Sequence, residues 1–576
     1  MGVALTSTVE AQLVSGTWTD LSADVLGEVR GKYGIDGNGP ADCVASSGQL
    51  TFDLDNSAQN SGATLGWYSP ASSSVRTGWT FGIPIRWVVT YESAASVTSI
   101  TRAGAVATVT TGAAHGRSTD DWVTIAGAAQ SDYNGTFQIT VTGGSTFTYA
   151  VGGTPATPAT GTITWVRAYV RFRGRVADIN PTPGRYRDRR VHVVAQDPIA
   201  DLMDADVREV TLQSSKTETE LITALLAAMP TTAQPPDTSL ETGVDTYPYS
   251  FDNVGDGAKA AGLIRDVALS ALGAVYCRGD GTLVYKTRHS RALVTSAFGF
   301  SDSTVVDLAV PSSLDSVFNR VRVTIHPKTV DAAATTVLWA QTGSAPEIAA
   351  GATLTIWGTY YDPGNTLKLI GGLSQVVPIV ATTDYTANSA ADGSGSNLTA
   401  DISVVTTAFA STAKFEVTNG GATAAYLTKL QVRGKGVYDN GPRTSQSYTA
   451  KDYGDRPFDL DMPYQDDPEI AQSAATYLDA QFNDLEDQAE AIEFVATSTS
   501  ALLAQALLRE PTDCVTITET LTGLSAVGVI IQSVELAYEA RQLRCRWTLA
   551  PAAPFNFWQL GVAGASELGS TTVLGF

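Results

Sequence analysis

The chain has 576 residues, of which 43% are hydrophobic and only 16% are charged, and it contains 52 glycines and 24 prolines. This length predicts several modules of about 100–150 residues each, and the composition favours β-strands separated by tight turns over long helices. A net charge of −21 argues against a chain whose overall surface attracts nucleic-acid phosphates, and four scattered cysteines argue against a disulfide framework or a paired-cysteine zinc site.

The N-terminal segment alternates apolar and polar residues as β-strands do. Leu50, Phe52 and Leu54 fall on one face of such a strand. From about 96 to 164 the chain is rich in Thr, Gly, Ala and Val and carries very little charge, which predicts a small inserted β-sandwich. Because the preceding pattern resumes at Trp165, we expect the two ends of this insertion to lie close together.

The resumed strand has apolar residues at alternate positions, from Val166 to Val176, and arginines at several of the positions between them. This pattern predicts one face in the core and one strongly cationic face. The arginines could contact DNA, pair with carboxylates of a neighbouring subunit or lie on a solvated hairpin. In a chain this acidic we favour an assembly interface over DNA contact, and the candidate residues are Arg171, Arg173, Arg175, Arg185, Arg187, Arg189 and Arg190.

The segment from about 216 to 290 has α/β character. Thr217 and Glu220 form a capping-box pattern at the start of one helix, a second helix is predicted near 257–272, and a hairpin is predicted around Asp280 and Gly281. A second β-rich insertion of low charge follows at about 328–435. The pattern downstream predicts a helix from Pro468 to Asp484 and then closing strands.

Several short motifs occur in the order found in siphovirus tail-tip hub proteins, including minor tail proteins of phages that infect actinobacteria. The motifs that resemble this family are WTDLSADV (18–25), GQLTFDLDN (48–56), VRFRGRVAD (170–178), VHVVAQD (191–197), DGTLVY (280–285), FNRVRV (318–323) and YGDR (453–456). The resemblance covers roughly 1–94, 165–325 and 440–576. It implies a trimer in which two β-barrel domains per subunit form a pseudo-sixfold ring, and it implies no catalysis.

With the resemblance, the sequence predicts a mainly β, multidomain chain with a small α/β part, in which two hub β-barrel domains carry inserted Ig-like β-sandwich modules. The predicted domains are 1–94 plus 165–210 (first hub β-barrel), 95–164 (inserted Ig-like β-sandwich), 211–315 (α/β hub domain), 316–327 plus 436–555 (second hub β-barrel with a helical segment), 328–435 (inserted β-sandwich) and 556–576 (C-terminal tail).

No catalytic, cofactor-binding or metal-binding residues are predicted. The four histidines are scattered singly, and the acidic run that begins at Asp452 is expected to be a solvated surface, although paired carboxylates could also hold a metal or cleave glycans. The fragment Asp36-Gly37-Asn38-Gly39 resembles part of a calcium loop but lacks the later glutamate, so we expect a turn there.

We therefore expect a non-enzymatic hub of a phage tail tip, made in the host cytoplasm and located in the virion. Its expected partners are two further copies of itself, the distal tail protein, the tape measure protein and tip or receptor-binding proteins. DNA is expected to pass through without stable binding. No membrane span and no cofactor are expected. The alternative is a carbohydrate-binding or carbohydrate-active phage adhesin. Its sugar-stacking candidates are Trp122, Tyr133, Trp339, Trp357, Tyr360 and Tyr361. A hub of a phage-derived injection or gene-transfer particle is a further possibility.

Overall fold

The structure is a computed structural model that describes residues 2–183, 189–252, 254, 257–292, 295–311, 313–362, 364, 368–372, 376–484 and 489–552. Strands account for 46% of the described residues and helices for 14%. Buried apolar side chains form several separate clusters. The prediction of a mainly β, multidomain fold with a small α/β part is confirmed. The predicted C-terminal tail, 556–576, lies outside the described residues.

The N-terminal segment contributes five strands to one large sheet. The alternation seen in the sequence is the cause, since Leu50, Phe52 and Leu54 are all at most 2% exposed while the residues between them are only partly buried. The five strands are β1 (Thr6–Val14), β2 (Thr17–Asp20), β3 (Val25–Gly34), β4 (Gln49–Asp55) and β5 (Pro84–Thr90).

The first low-charge segment forms its own strands around its own core, which includes Tyr133 and Phe147. Strand β12 (Gly161–Thr182) then runs from this segment into the large sheet, where it pairs with β5 and with β13 (Arg190–Gln196). Ala95 lies opposite Trp165, so the two ends of the segment are adjacent, as expected. The strands of the segment are β6 (Ala95–Ala103), β7 (Val106–Thr111), β8 (Trp122–Ala128), β9 (Gly135–Gln138), β10 (Thr140–Gly143) and β11 (Thr146–Ala150).

An α/β part follows. The predicted capping box of Thr217 and Glu220 is present, and the predicted hairpin turns at Asp280 and Gly281. One face of each of the two longer helices packs into a shared core. The elements are α1 (Pro198–Asp204), β14 (Gln213–Thr217), α2 (Glu218–Ala228), β15 (Asp237–Leu240), β16 (Thr246–Ser250), α3 (Ala260–Ala271), β17 (Ala274–Cys277), β18 (Thr282–Lys286) and α4 (Arg288–Ala292).

The next part contains the second low-charge segment, which has a core around Phe415 and Leu427. Within it, β25, β29 and β28 form one sheet, and β30 pairs with β23, β24 and β27. The strands of this part are β19 (Ser296–Ser301), β20 (Asp307–Ala309), β21 (Arg320–Ile325), β22 (Lys328–Val330), β23 (Thr336–Ala340), β24 (Glu347–Ile348), β25 (Thr353–Thr359), β26 (Lys368–Gly372), β27 (Tyr385–Asn388), β28 (Ile402–Ala408), β29 (Thr412–Asn419), β30 (Ala425–Gly434) and β31 (Gly436–Asp439).

The C-terminal part divides between two sheets. Strand β21 pairs with β32 and β33 in a small sheet that packs on α5, whereas β34 to β37 join the large sheet. The elements are β32 (Arg443–Tyr448), β33 (Pro457–Met462), α5 (Pro468–Phe482), β34 (Ala491–Val495), α6 (Ser500–Leu508), β35 (Cys514–Glu519), β36 (Leu524–Glu539) and β37 (Gln542–Pro551).

The large sheet therefore joins the two ends of the described chain. Its strands pair in the order β2, β1, β5, β12, β13, β4, β3 and β36, with Val29 opposite Tyr538. One core unites Trp87 and Phe172 with Trp547. Strands of the predicted second barrel thus lie in two different sheets. The domain limits given above and the closure of two barrels remain predictions.

Candidate assembly interface

The arginine-rich strand β12 carries a β-bulge at Arg171. Val170 lies opposite Val88 and Phe172 opposite Trp87, which leaves Arg171 as an extra residue with no counterpart in β5. Because a bulge reverses the alternation of side chains, Val170 and Phe172 lie in different apolar clusters. The prediction that they lie on one core face opposite a strongly cationic face was wrong for this reason.

Arg171 lies inside the protein, with only 3% of it exposed. Its Nη1 donates to the main-chain oxygen of Leu507 at 2.9 Å and to Oε1 of Glu510 at 2.8 Å, and its Nη2 donates to the hydroxyl of Tyr33. Burial raises the pKa of Glu510 to about 7, although the charge of Arg171 acts in the opposite direction. Arg171 therefore joins β12 to the C-terminal part of the same chain.

Two further arginines of β12 point to the α/β part. Arg173 Nη1 lies 3.2 Å from a carboxylate oxygen of Asp237. Arg175 Nε lies 3.6 Å from a carboxylate oxygen of Asp201, and its Nη2 donates to the main-chain oxygen of Thr232 at 3.1 Å. Both arginines have carboxylate partners within the chain, so these ion pairs connect two parts of one subunit.

The remaining candidates lie around the turn that follows β12. Arg190 Nη1 lies 3.3 Å from a carboxylate oxygen of Asp53, and Arg189 is exposed. Arg185 and Arg187 lie outside the described residues. The side chains of Arg175 and Arg190 are 47% and 38% exposed. Among the described candidates, Arg175, Arg189 and Arg190 are thus accessible at the surface of the chain.

A buried arginine that the sequence analysis missed connects the first insertion to the large sheet. Arg86 of β5 is 2% exposed, and its guanidinium lies 4.2 Å from the ring centroid of Trp18. Its Nε donates to Glu10 at 2.6 Å, and its Nη1 donates to the main-chain oxygen of Thr136 at 3.0 Å. Thr136 belongs to the insertion, so Arg86 bonds the insertion to β5. The sequence feature that could have predicted this contact is a single arginine within the apolar run of β5.

The second insertion is attached to the α/β part by cations as well. The guanidinium of Arg208 lies 3.7 Å from the ring centroid of Trp357, whose ring also stacks on Phe409. Lys328 is nearly buried, and its Nζ donates to the main-chain oxygen of Tyr249 at 3.1 Å and to the carboxylate of Asp252. Both insertions are therefore packed against the rest of the chain.

The motifs that resemble hub proteins contact one another in space. Asn319 is fully buried, and its Nδ2 donates to the main-chain oxygens of Thr449 at 3.0 Å and Gly454 at 3.1 Å. The main-chain nitrogen of Arg456 donates to Asn319 Oδ1 at 2.7 Å. The motif at 318–323 is therefore bonded to the motif at 453–456.

The other five of these motifs also meet. Val25, the last residue of the motif at 18–25, lies opposite Leu54 of the motif at 48–56. The strands of the motifs at 48–56, 191–197 and 170–178 are neighbours in the large sheet. The turn of the hairpin packs on the third of them, because a Cβ added at Gly279 would lie 3.0 Å from the backbone of Arg171, and one at Gly281 would lie 3.3 Å from Arg173. Side chains at these two positions would press against β12, so glycine suits this close approach.

The acidic candidates take part in local structure. Asp479 is buried and accepts hydrogen bonds from the hydroxyls of Ser447 at 2.7 Å and Thr449 at 2.9 Å. In the calcium-like fragment, Asp42 accepts from the main-chain nitrogen of Gly39, as in a turn. Within the part of the chain that the structure describes, no group of three or more His, Cys, Asp or Glu residues could hold a metal ion.

The aromatic residues proposed to stack on sugars lie mostly inside the chain. Tyr133 and Tyr360 are at most 5% exposed. Trp339 stacks on Phe415, and Trp122 and Trp357 each lie near an arginine, whereas Tyr361 is 42% exposed. The described surface thus does not bring these six residues together as a sugar platform.

No helix among the described residues is long and apolar enough to cross a membrane. No protein-family model and no curated protein matches the sequence.

Among solved structures, the chain is similar to the 43 kDa tail protein of prophage MuSo2 from Shewanella oneidensis, at 9% identity over 95% of this chain and 98% of that chain, with a TM-score of 0.44. It is also similar to a tail protein from Neisseria meningitidis MC58, at 8% identity over 95% and 96% of the two chains, with a TM-score of 0.43. A third similar structure is prophage tail protein gp18 from Listeria monocytogenes EGD-e, at 7% identity over 94% of each chain, with a TM-score of 0.37. At these TM-scores and identities, the likenesses establish neither the fold nor the function of this chain.

Proposed function

We propose that the chain is a non-enzymatic structural subunit of a phage tail tip, a hub that connects the tail tube to tip or receptor-binding proteins. The observation that carries this proposal is that each of the seven hub-like motifs contacts another of them, in one group of five motifs and one group of two. Each motif is short and weak alone. Their association through Asn319, Arg456 and the β4, β13 and β12 strands supports the interpretation that they form one framework.

The proposed mechanism is mechanical. Three copies form a ring that matches the tail tube above to a threefold tip below and encloses the channel for the tape measure protein and the genome. The contacts of Arg86 and Arg208 support this, because they attach both insertions to the body of the subunit, so that the insertions move with the subunit. A hub that transmits force needs such rigid connections.

The charge of the chain fits a channel through which DNA passes. The net charge is −21, and an acidic lumen repels phosphates over about 8–10 Å at physiological ionic strength. Arg175, Arg189 and Arg190, which remain accessible, form the proposed assembly interface with carboxylates of a neighbouring subunit or tail protein. The acidic wall of the lumen would thus repel DNA, while arginines and carboxylates would attract each other where subunits contact.

Immunogold electron microscopy of the particles that contain this chain tests the proposal. An antibody against residues 95–164 should label one end of the tail, and labelling on the head or no labelling of particles would contradict it. A glycan array and a cell-wall hydrolysis assay on the purified chain test the alternative, a carbohydrate-binding or carbohydrate-active adhesin. Specific binding or turnover there would favour the adhesin instead.

A further inference from the structure

The turn between β35 and β36 presents a single, fully exposed leucine on a well-ordered support. Leu521 is 92% exposed. The carboxylate of Glu519 accepts hydrogen bonds from the main-chain nitrogens of Leu521 at 3.0 Å and Thr522 at 2.6 Å, and from the hydroxyl of Thr522. Thr520 donates from its main-chain nitrogen and its hydroxyl to Asp302. We call residues 519–523 with Asp302 the leucine tip.

The leucine tip is organised before it meets any partner. These hydrogen bonds hold the pKa values of Glu519 and Asp302 below their usual values, so both carboxylates remain ionised and keep accepting. The loop that carries Asp302 also carries Val306, which is 61% exposed. A preorganised apolar anchor loses little conformational entropy on binding, which is the property of an interface hot spot.

A cavity of about 70 Å³ lies where α3, α4 and α5 meet the middle of β36 and the end of β37. Its apolar wall includes Leu269, Leu272 and Phe482, and Arg291 lies on its rim. Gln532 lines it too and is 2% exposed, yet its Oε1 has no hydrogen-bond partner among the described residues. We call this space the helix cavity.

We propose that Leu521 of one copy of this chain inserts into the helix cavity of the next copy, and that three such contacts close the ring. This inference rests on the proposed trimer and names the contact that builds it. The contact is heterologous, because the tip and the cavity are different surfaces, and a heterologous contact with a threefold rotation gives a closed ring.

Size and charge support the pairing. A volume of 70 Å³ corresponds to about five to seven water-sized spaces, which suits the four heavy atoms of a leucine side chain. Asp302 and Glu519 surround the leucine with negative charge, whereas two arginines, Arg288 and Arg291, and one acid, Asp42, line the cavity. Arg288 is already bound to Asp245. The match is an acidic collar around an apolar anchor, facing an apolar wall that carries more arginines than acids.

The tip cannot fill the cavity of its own chain. Strand β36 begins at Leu524, just after the tip, and reaches the cavity only at Ile530. Six residues of extended strand separate these points by about 20 Å. The leucine that fills the cavity in this proposal therefore comes from another copy.

Light scattering and sedimentation of single variants give the first test. Leu521→Asp should raise the dissociation constant of the trimer by about 30-fold or more, as expected for loss of a hot-spot side chain. Ala292→Trp, which fills the cavity from the end of α4, should do the same. The control is Val14→Asp, because Val14 is 65% exposed and lies far along the chain from both surfaces. Circular dichroism verifies that each variant is folded.

Mixing gives the decisive test. Neither Leu521→Asp nor Ala292→Trp should form rings alone, but an equimolar mixture should form heterodimers, since one intact tip and one intact cavity remain. In a Cys43→Ser background, used because Cys43 lines the cavity, a bismaleimide cross-linker should likewise join Leu521→Cys chains only to Ala292→Cys chains. The other native cysteines, Cys277, Cys514 and Cys545, are buried.

Three results would overturn the inference: a wild-type chain that stays monomeric at high concentration, cross-linking within Leu521→Cys alone, or a Leu521→Asp variant that trimerises like wild type. In the last case the proposed ring would stand and only its contact would change. Failure of tail labelling would instead remove the proposed function itself.

Discussion

Replacement of Arg86 by methionine tests how the first insertion is attached. Methionine keeps an apolar stem of similar length but removes the guanidinium, which leaves Glu10 without its ion-pair partner and the main-chain oxygen of Thr136 without a donor. Arg86 is 2% exposed and the side chain of Glu10 is 13% exposed. Breaking a buried pair costs about 3–5 kcal/mol, and because Glu10 retains some solvent contact we expect about 3 kcal/mol.

Urea denaturation followed by tryptophan fluorescence measures this effect, because Trp18 and Trp122 lie on either side of the guanidinium. With an m-value of about 3 kcal/mol per molar, the midpoint of the transition that includes these tryptophans should fall by about 1 M. Arg175→Met is the matched control. Its ion pair is half-exposed and 3.6 Å long, so its loss should cost less than about 1 kcal/mol. Equal midpoints for Arg86→Met and wild type would refute the reasoning.

Three further predictions concern single side chains inside the chain or at the contacts between its parts. Burial raises the pKa of Asp197 to about 7 in the folded chain. The folded state therefore binds a proton more readily than the unfolded state, and stability should fall as the pH rises from about 4 to 7. The difference in stability between wild type and Asp197→Asn, followed by urea denaturation at several pH values, should change in this window by on the order of 3 kcal/mol. A pH-independent difference would contradict this. Trp357→Ala removes the ring beneath Arg208. It should lower the free energy of unfolding by about 2–3 kcal/mol and speed proteolysis at the edges of 328–435. An unchanged rate of cleavage would show that this contact does not attach the second insertion. Asn319→Ala leaves two main-chain oxygens and one nitrogen without partners and should cost about 2–4 kcal/mol in thermal unfolding, whereas an unchanged melting temperature would show that the two motifs do not depend on this amide.

Elements with local signals were predictable from the sequence. The capping box at Thr217 fixed the start of α2, and Asp467 with a following proline fixed the start of α5. The Asp280-Gly281 turn fixed the β17–β18 hairpin. In each case residues within four positions satisfy the backbone, so the structure follows from the neighbours in sequence. Helix α6 was not predicted, because its sequence is apolar on nearly all sides and shows no clear helical period.

Features that depend on distant residues were not predictable in the same way. The bulge at Arg171 arises from the register between β12 and β5, which no local pattern encodes. The pairing of Val29 with Tyr538 joins strands from the two ends of the described chain. For the candidate interface, the sequence identified the arginines but not their partners, since the carboxylate of Glu510 is more than 300 residues from Arg171.

Cryo-electron microscopy of the assembled tail tests the central claim most directly. The account predicts three copies of this chain around an open axial passage at the tip end of the tail, with more acidic than basic side chains on the wall of the passage. A single copy with a closed substrate cleft and no passage, or a passage lined mainly by arginine and lysine, would contradict it.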